Sequence, residues 1–155
     1  MASLKDTMQS DLTSAMRSHD EVTVRTLRMV LTSITAAQVA GKSAHELTAD
    51  EEVALLSTEL KRRQEAAAAF AAADRPELAA GEEQEADVIR RYLPAPLSPD
   101  EVSALVAAAV AEAAAAGQTG GRAMGTVMKT LKPQTSGRVD GGELAAAVKS
   151  ALGMG

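Results

Sequence analysis

The sequence contains no cysteine and no tryptophan, and only one phenylalanine, one tyrosine and two histidines in 155 residues. Without cysteine there is no disulfide framework, no thiolate metal site and no cysteine nucleophile. The two histidines, His19 and His45, have neither a second histidine nor a carboxylate at metal-ligand spacing. No metal and no cofactor is therefore expected. The shortage of aromatic rings removes the platforms on which single-stranded bases stack, so sequence readout of single strands is not expected. No segment approaches about 18 uninterrupted apolar residues, and MASLKDTMQSDL lacks the apolar region of a secretion signal. No membrane partner is expected, and cytoplasmic residence is the expectation. Neither G-x-x-x-x-G-K-[ST] nor a strand-linked G-x-G-x-x-G occurs, which leaves nucleotide-cradling folds unsupported.

What is abundant is alanine, 33 residues of it. A core built from so few rings must be aliphatic, and alanine at this density favours helix. Stretches that pair β-branched residues with period-two alternation are scarce, so no strand is predicted. The expected fold is all-α: an N-terminal domain of about four helices over residues 1–93, a Pro-rich linker at 94–97, and a three-helix tail over 98–155. The net charge of −5 argues against a generally basic nucleic-acid binder, and no DNA partner is expected. The charge is uneven: residues 1–97 carry 11 Lys/Arg against 16 Asp/Glu, while residues 98–155 carry 5 against 5.

Helix starts punctuate the chain. Ser3 with Asp6, Thr48 with Glu51, Ser98 with Glu101 and Asp140 with Glu143 read as capping boxes, and Asp20 as a further N-cap. Leu4, Met8, Leu12, Ala15 and Met16 form the apolar stripe of a first helix; Val24, Leu27, Leu31 and Ile34 form that of a second, which Gly41 is expected to stop with positive φ. A long third helix runs to about Ala73, with Val53, Leu56, Leu60, Ala67 and Phe70 inward. Asp74-Arg-Pro-Glu77 opens a fourth. Its acidic cluster Glu82–Asp87 is expected to be a solvated face rather than paired catalytic carboxylates, which need burial to shift their proton affinity. Pro94, Pro96 and Pro99 cannot sit in a helix interior and mark the domain boundary.

The stretch Gly120–Leu152 combines an apolar face, a basic face and small residues. A helix from about Arg122 to Lys132 places Met124, Val127, Met128 and Leu131 on one side. Arg122, Lys129 and Lys132 fall on the other, beside Gly125, whose missing side chain would let a partner approach the backbone. With Arg138, these are the candidate contacts to RNA phosphate. Ordinary surface composition is the plainer alternative. Lys61, Arg62 and Arg63 form a second basic patch, read either as a solvated helix face paired with Glu59 and Glu65 or as a further phosphate contact. No serine has an activating lysine or histidine in a structured pocket, and no catalytic residue is assigned.

Three segments carry a resemblance: LKDTMQSDLTSAMRSHDEVTVRTLRMVLTSI at the start, the junction YLPAPLSPDEV, and AMGTVMKTLKPQTSGRVDGGELAAAVKSAL at the end. Together they resemble the YqeY-like proteins, which share a tail module with the B subunit of the glutamyl/aspartyl-tRNA amidotransferase. The M-G-x-V-M run followed by G-R-x-D-G is its most specific part. The resemblance implies a helical N-terminal domain and a helical tail of the kind that binds the tRNA body; the ATP- and glutamate-handling cradle of the amidotransferase has no counterpart here. It implies a non-catalytic protein whose partner is tRNA or a tRNA-modifying or aminoacylating enzyme. An accessory carbon–nitrogen ligase activity using glutamine as amide donor, and a protein–protein adaptor docking through the N-terminal helices, are the alternatives.

Overall fold

The computed structural model describes residues 2–154. Among these, seven α-helices and one short 3-10 turn account for the regular structure, with no strand. The chain divides into two compact units, one up to Leu93 and one from Pro94.

In the first unit, α1 (Leu4–Ser18) and α2 (Glu21–Val39) form an antiparallel pair. Ser3 and Asp6 close a reciprocal capping box at the start of α1. The turn between the helices depends on His19, which takes a left-handed conformation (φ 59°) while its amide donates to the last carbonyls of α1. Asp20 then caps α2, accepting from the amide and the hydroxyl of Thr23. Those two donors stabilise the charged form and hold the Asp20 carboxyl below its usual range. Gly41 does not terminate α2 as expected. The helix ends at Val39, and Gly41 is not among the positive-φ glycines.

The remaining helices of this unit are α3 (Ala49–Ala72), opened by a complete Thr48–Glu51 capping box, and α4 (Pro76–Arg90). Asp74 does not cap α4: it adopts φ 58° in the turn, and the N-cap position falls on Arg75 with no side-chain bond. Pro76 at the first helical position helps define the start instead. Met8, Leu27, Val30, Ile34, Leu56, Val88 and Ile89 make the core. Tyr92, just past the end of α4, packs against this core and donates its hydroxyl to Asp11. Burial, with the Asp11 carboxylate beside it, pushes the phenol well above its usual range.

The second unit contains α5 (Pro99–Ala115), a 3-10 turn (Gly120–Arg122), α6 (Ala123–Thr135) and α7 (Gly141–Ala151). Ser98 accepts from the Glu101 amide with Pro99 at the first helical position, but Glu101 does not return the bond. Asp140 caps α7 by accepting from the Gly142 amide. Residues 94–97 are bound into this unit: the Leu97 amide donates to the Arg138 carbonyl (2.8 Å), and Arg138 Nε donates to the Ala95 carbonyl (2.9 Å). The core consists of Val106, Ala109 and Ala113 from α5, Ala123, Val127 and Leu131 from α6, and Leu144 and Val148 from α7. Alanine at 109, 113 and 123 lets the helices approach closely.

Helix α6 differs from expectation at both ends. Arg122 lies in the 3-10 turn, and the helix continues through Pro133 to Thr135. Proline has no amide to offer the Lys129 carbonyl four residues back. Lys129 and Pro133 are both exposed, so water can take that bond, which explains why the helix survives.

Candidate nucleic-acid interface

The buried residues of α6, namely Ala123, Val127, Leu131 and Thr135, recur every fourth position and form one ridge against α5 and α7. Fixing that ridge inward fixes the opposite face outward. Arg122, Gly125, Lys129 and Lys132 are all exposed there. At 1.5 Å per residue, Arg122 and Lys132 are separated by about 15 Å along the axis, with Lys129 roughly 10 Å from Arg122. None of the three cations makes an ion pair with another described residue. No acidic residue occurs between Glu112 and Asp140, so this face has no local carboxylate in sequence either.

Gly125 has no packing reason to be glycine. A Cβ built there meets nothing within 4 Å, and the residue does not take positive φ. A mid-helix glycine costs about 0.5–1 kcal/mol relative to alanine. Gly125→Ala should therefore raise the stability of the second unit by about 0.5–1 kcal/mol in chemical denaturation. If a partner approaches the bare backbone, the same variant weakens that partner's binding. Stabilisation with unchanged binding removes Gly125 from the interface.

Arg138 is not part of this face. It lies half-buried in the loop between α6 and α7, where its bond to Ala95 braces the proline segment. It therefore acts first as a structural tie.

The second basic patch pairs with Glu59 at i,i+3 and i,i+4 as one of its two readings expected, but the pairing is not on a solvated face. Arg63 points inward with its side chain 12% exposed: Nη1 donates to Glu59, and Nε sits 3.5 Å from Glu85. Arg62 reaches Glu59 at 3.2 Å, Arg25 reaches Glu85 at 2.9 Å, and the Ser33 hydroxyl donates to Glu59. Glu59 and Glu85 are buried, and Arg63 between them is withdrawn from any phosphate. Lys61 and Arg62 remain exposed. Glu85 also departs from the solvated face expected of Glu82–Asp87, whereas Glu83 and Asp87 are exposed and pair with Arg90. A third carboxylate, Glu52, is buried where it accepts from the Lys5 amide. Helical periodicity of apolar residues carries no signal for any of these three.

Among the described residues no three of His, Cys, Asp and Glu come together as metal ligands. His45 lies 3.9 Å from Glu51 on the surface, and His19 serves as the turn of the first hairpin. No single helix among these residues is long and apolar enough to cross a membrane. The family model described as Yqey-like protein matches residues 5–152. No curated protein matches the chain.

Proposed function

This chain belongs to the Yqey-like protein family, and from that premise we propose that it is a non-catalytic, cytoplasmic RNA-associated protein whose tail unit meets the phosphates of a structured RNA, tRNA foremost. The observation that carries this reading is the outer face of α6. With Arg122 in the turn just before it, this face has three exposed cations without carboxylate partners around a glycine that the fold itself does not require.

The physical logic is that of backbone recognition. Phosphate contacts position a protein on a shaped RNA without reading its bases, and they need cations that are not already neutralised. Arg122, Lys129 and Lys132 meet that condition; Arg63 does not. The tail's resemblance to the tRNA-binding tail of the amidotransferase B subunit points the same way. Because the face is one helix long, it would contact a few phosphates, which suits a recognition module working beside another binding surface.

The test is affinity purification of the full chain from cells, with and without nuclease. RNA of tRNA size should co-purify with the wild type and fall sharply for Lys129→Glu with Lys132→Glu, both exposed positions at which folding should persist. Recovery of proteins but no RNA, or RNA recovered equally by the double variant, contradicts the reading. Glutamine-dependent amide transfer by the purified chain would instead support the ligase alternative.

A further inference from the structure

The first unit consists of two helical hairpins, and what ties them together changes along their length. At one end, Leu56, Val88 and Ile89 of α3 and α4 pack with Met8, Leu27, Val30 and Ile34 of α1 and α2. Beyond Leu60, α3 offers no comparable stripe. Its residues 66–72 are alanine at every position except Phe70, and only Ala67 among them is buried. The part of α4 before Glu85 has no buried residue. Alanine on every side of a helix marks neither a face nor a height, so this half has no apolar code for where the hairpin sits on α2.

Charge supplies what the alanines lack. Arg63 joins Glu59 to Glu85, the Ser33 hydroxyl donates to Glu59 (3.2 Å), and Arg25 Nε donates to Glu85 (2.9 Å). Ser33 and Arg25 both belong to α2 and lie about 12 Å apart along its axis. The hairpin thus holds α2 at two heights, through two carboxylates that share one buried cation. The connections do not fix that height. Residues 73–75 tie α3 closely to α4, whereas residues 40–48 join α2 to α3. Nine residues can reach about 30 Å, far more than the roughly 5.4 Å of a one-turn slip.

We propose that the Glu59–Arg63–Glu85 network sets the register of the α3–α4 hairpin on α2, as a positioning device rather than a source of stability. A slip of one turn, or a rotation, keeps alanine against much the same surface with little change in apolar contact. It also leaves Glu59, Glu85 and Arg63 away from water without their partners, and that penalty excludes the alternative. The geometry fits this role better than a stabilising one. Arg63 Nε is buried 3.5 Å from Glu85 and makes no hydrogen bond. A network with an orphaned donor stabilises less than an apolar seam of similar volume, so stability alone does not account for it.

The chain has no cysteine, so nitroxide labels at Ala36→Cys on α2 and Ala68→Cys on α3, both exposed, report the register of the full chain without background. The labelled protein should give one narrow distance by pulsed electron paramagnetic resonance. Glu59→Leu/Arg63→Met/Glu85→Leu removes the buried charges together. It should melt above Arg63→Met, followed by Tyr92 fluorescence, yet show a second distance displaced by about 5 Å. Arg25→Ala/Ser33→Ala leaves Arg63 paired and removes only the holds on α2; it too should add the second distance. A single unshifted distance in either variant overturns the proposal. So does a triple variant that melts no higher than Arg63→Met, because the network would then hold the fold together rather than choose its register.

Discussion

Replacing Arg63 with methionine should destabilise the N-terminal unit by about 3 kcal/mol or more, because it leaves buried carboxylates without their shared cation. The side chains of Arg63, Glu59 and Glu85 are 12%, 7% and 11% exposed. After the change, Glu59 retains only Arg62, whose side chain is 67% exposed and well screened, and Glu85 retains Arg25. Breaking a buried pair costs far more than making it gains, since the remaining carboxylates stay out of water and keep only cations that solvent screens. For a unit of this size, that loss lowers the melting temperature on the order of 10–20 °C. Tyr92, the only tyrosine, lies in this unit, and its fluorescence follows the transition directly. Arg62→Ala should cost less than about 1 kcal/mol, as exposed pairs do. Similar small losses for both arginines would show that Arg63 is a surface residue after all.

Leu131→Ala should unfold the tail at room temperature while leaving the N-terminal unit intact. Leu131 is 1% exposed at the centre of the tail core. Truncating such a leucine costs about 2–5 kcal/mol. A single core in a domain below roughly 70–80 residues rarely supplies more than 3–5 kcal/mol in total. The tail, spanning from Pro94 to the end, falls in that class. The expected result is loss of part of the helical circular dichroism at 25 °C, with the Tyr92 transition unmoved. A tail that melts within a degree or two of wild type would mean that α6 is not its keystone.

Much of the fold is legible because its signals are local. Ser3, Asp20, Thr48, Ser98 and Asp140 each cap the helix they announce. Of the ridge that buries α6, Val127 and Leu131 are visible as apolar spacing, whereas Ala123 and Thr135 are not, and Met124 and Met128, expected inward, are only partly buried. The outward placement of Gly125, Lys129 and Lys132 is legible all the same. What is not legible depends on partners distant in sequence. Glu59 meets Ser33 across 26 positions, and Glu85 meets Arg25 across 60. Nothing near Lys61-Arg62-Arg63 signals that Arg63 turns inward while Arg62 stays out. Arg138 reads as one more cation until its bond to Ala95, 43 positions away, shows what it holds. Met16 reads as part of the apolar stripe of α1, yet it falls at the edge of that stripe and remains exposed. Pro133 reads as a stop because proline usually is one; its solvent-facing position in the last turns of α6 makes it tolerable.

The most direct test of phosphate recognition by α6 is the salt dependence of tRNA binding, compared between the wild type and Arg122→Ala/Lys129→Ala/Lys132→Ala. All three positions are exposed, so the variant should keep its helical spectrum and its melting transition. If each cation meets one phosphate, the slope of log K against log[salt] becomes shallower by roughly 0.7–0.9 per contact, or about 2–3 in total. A slope unchanged in the triple variant, with its fold intact, would show that the basic face of α6 does not contact RNA.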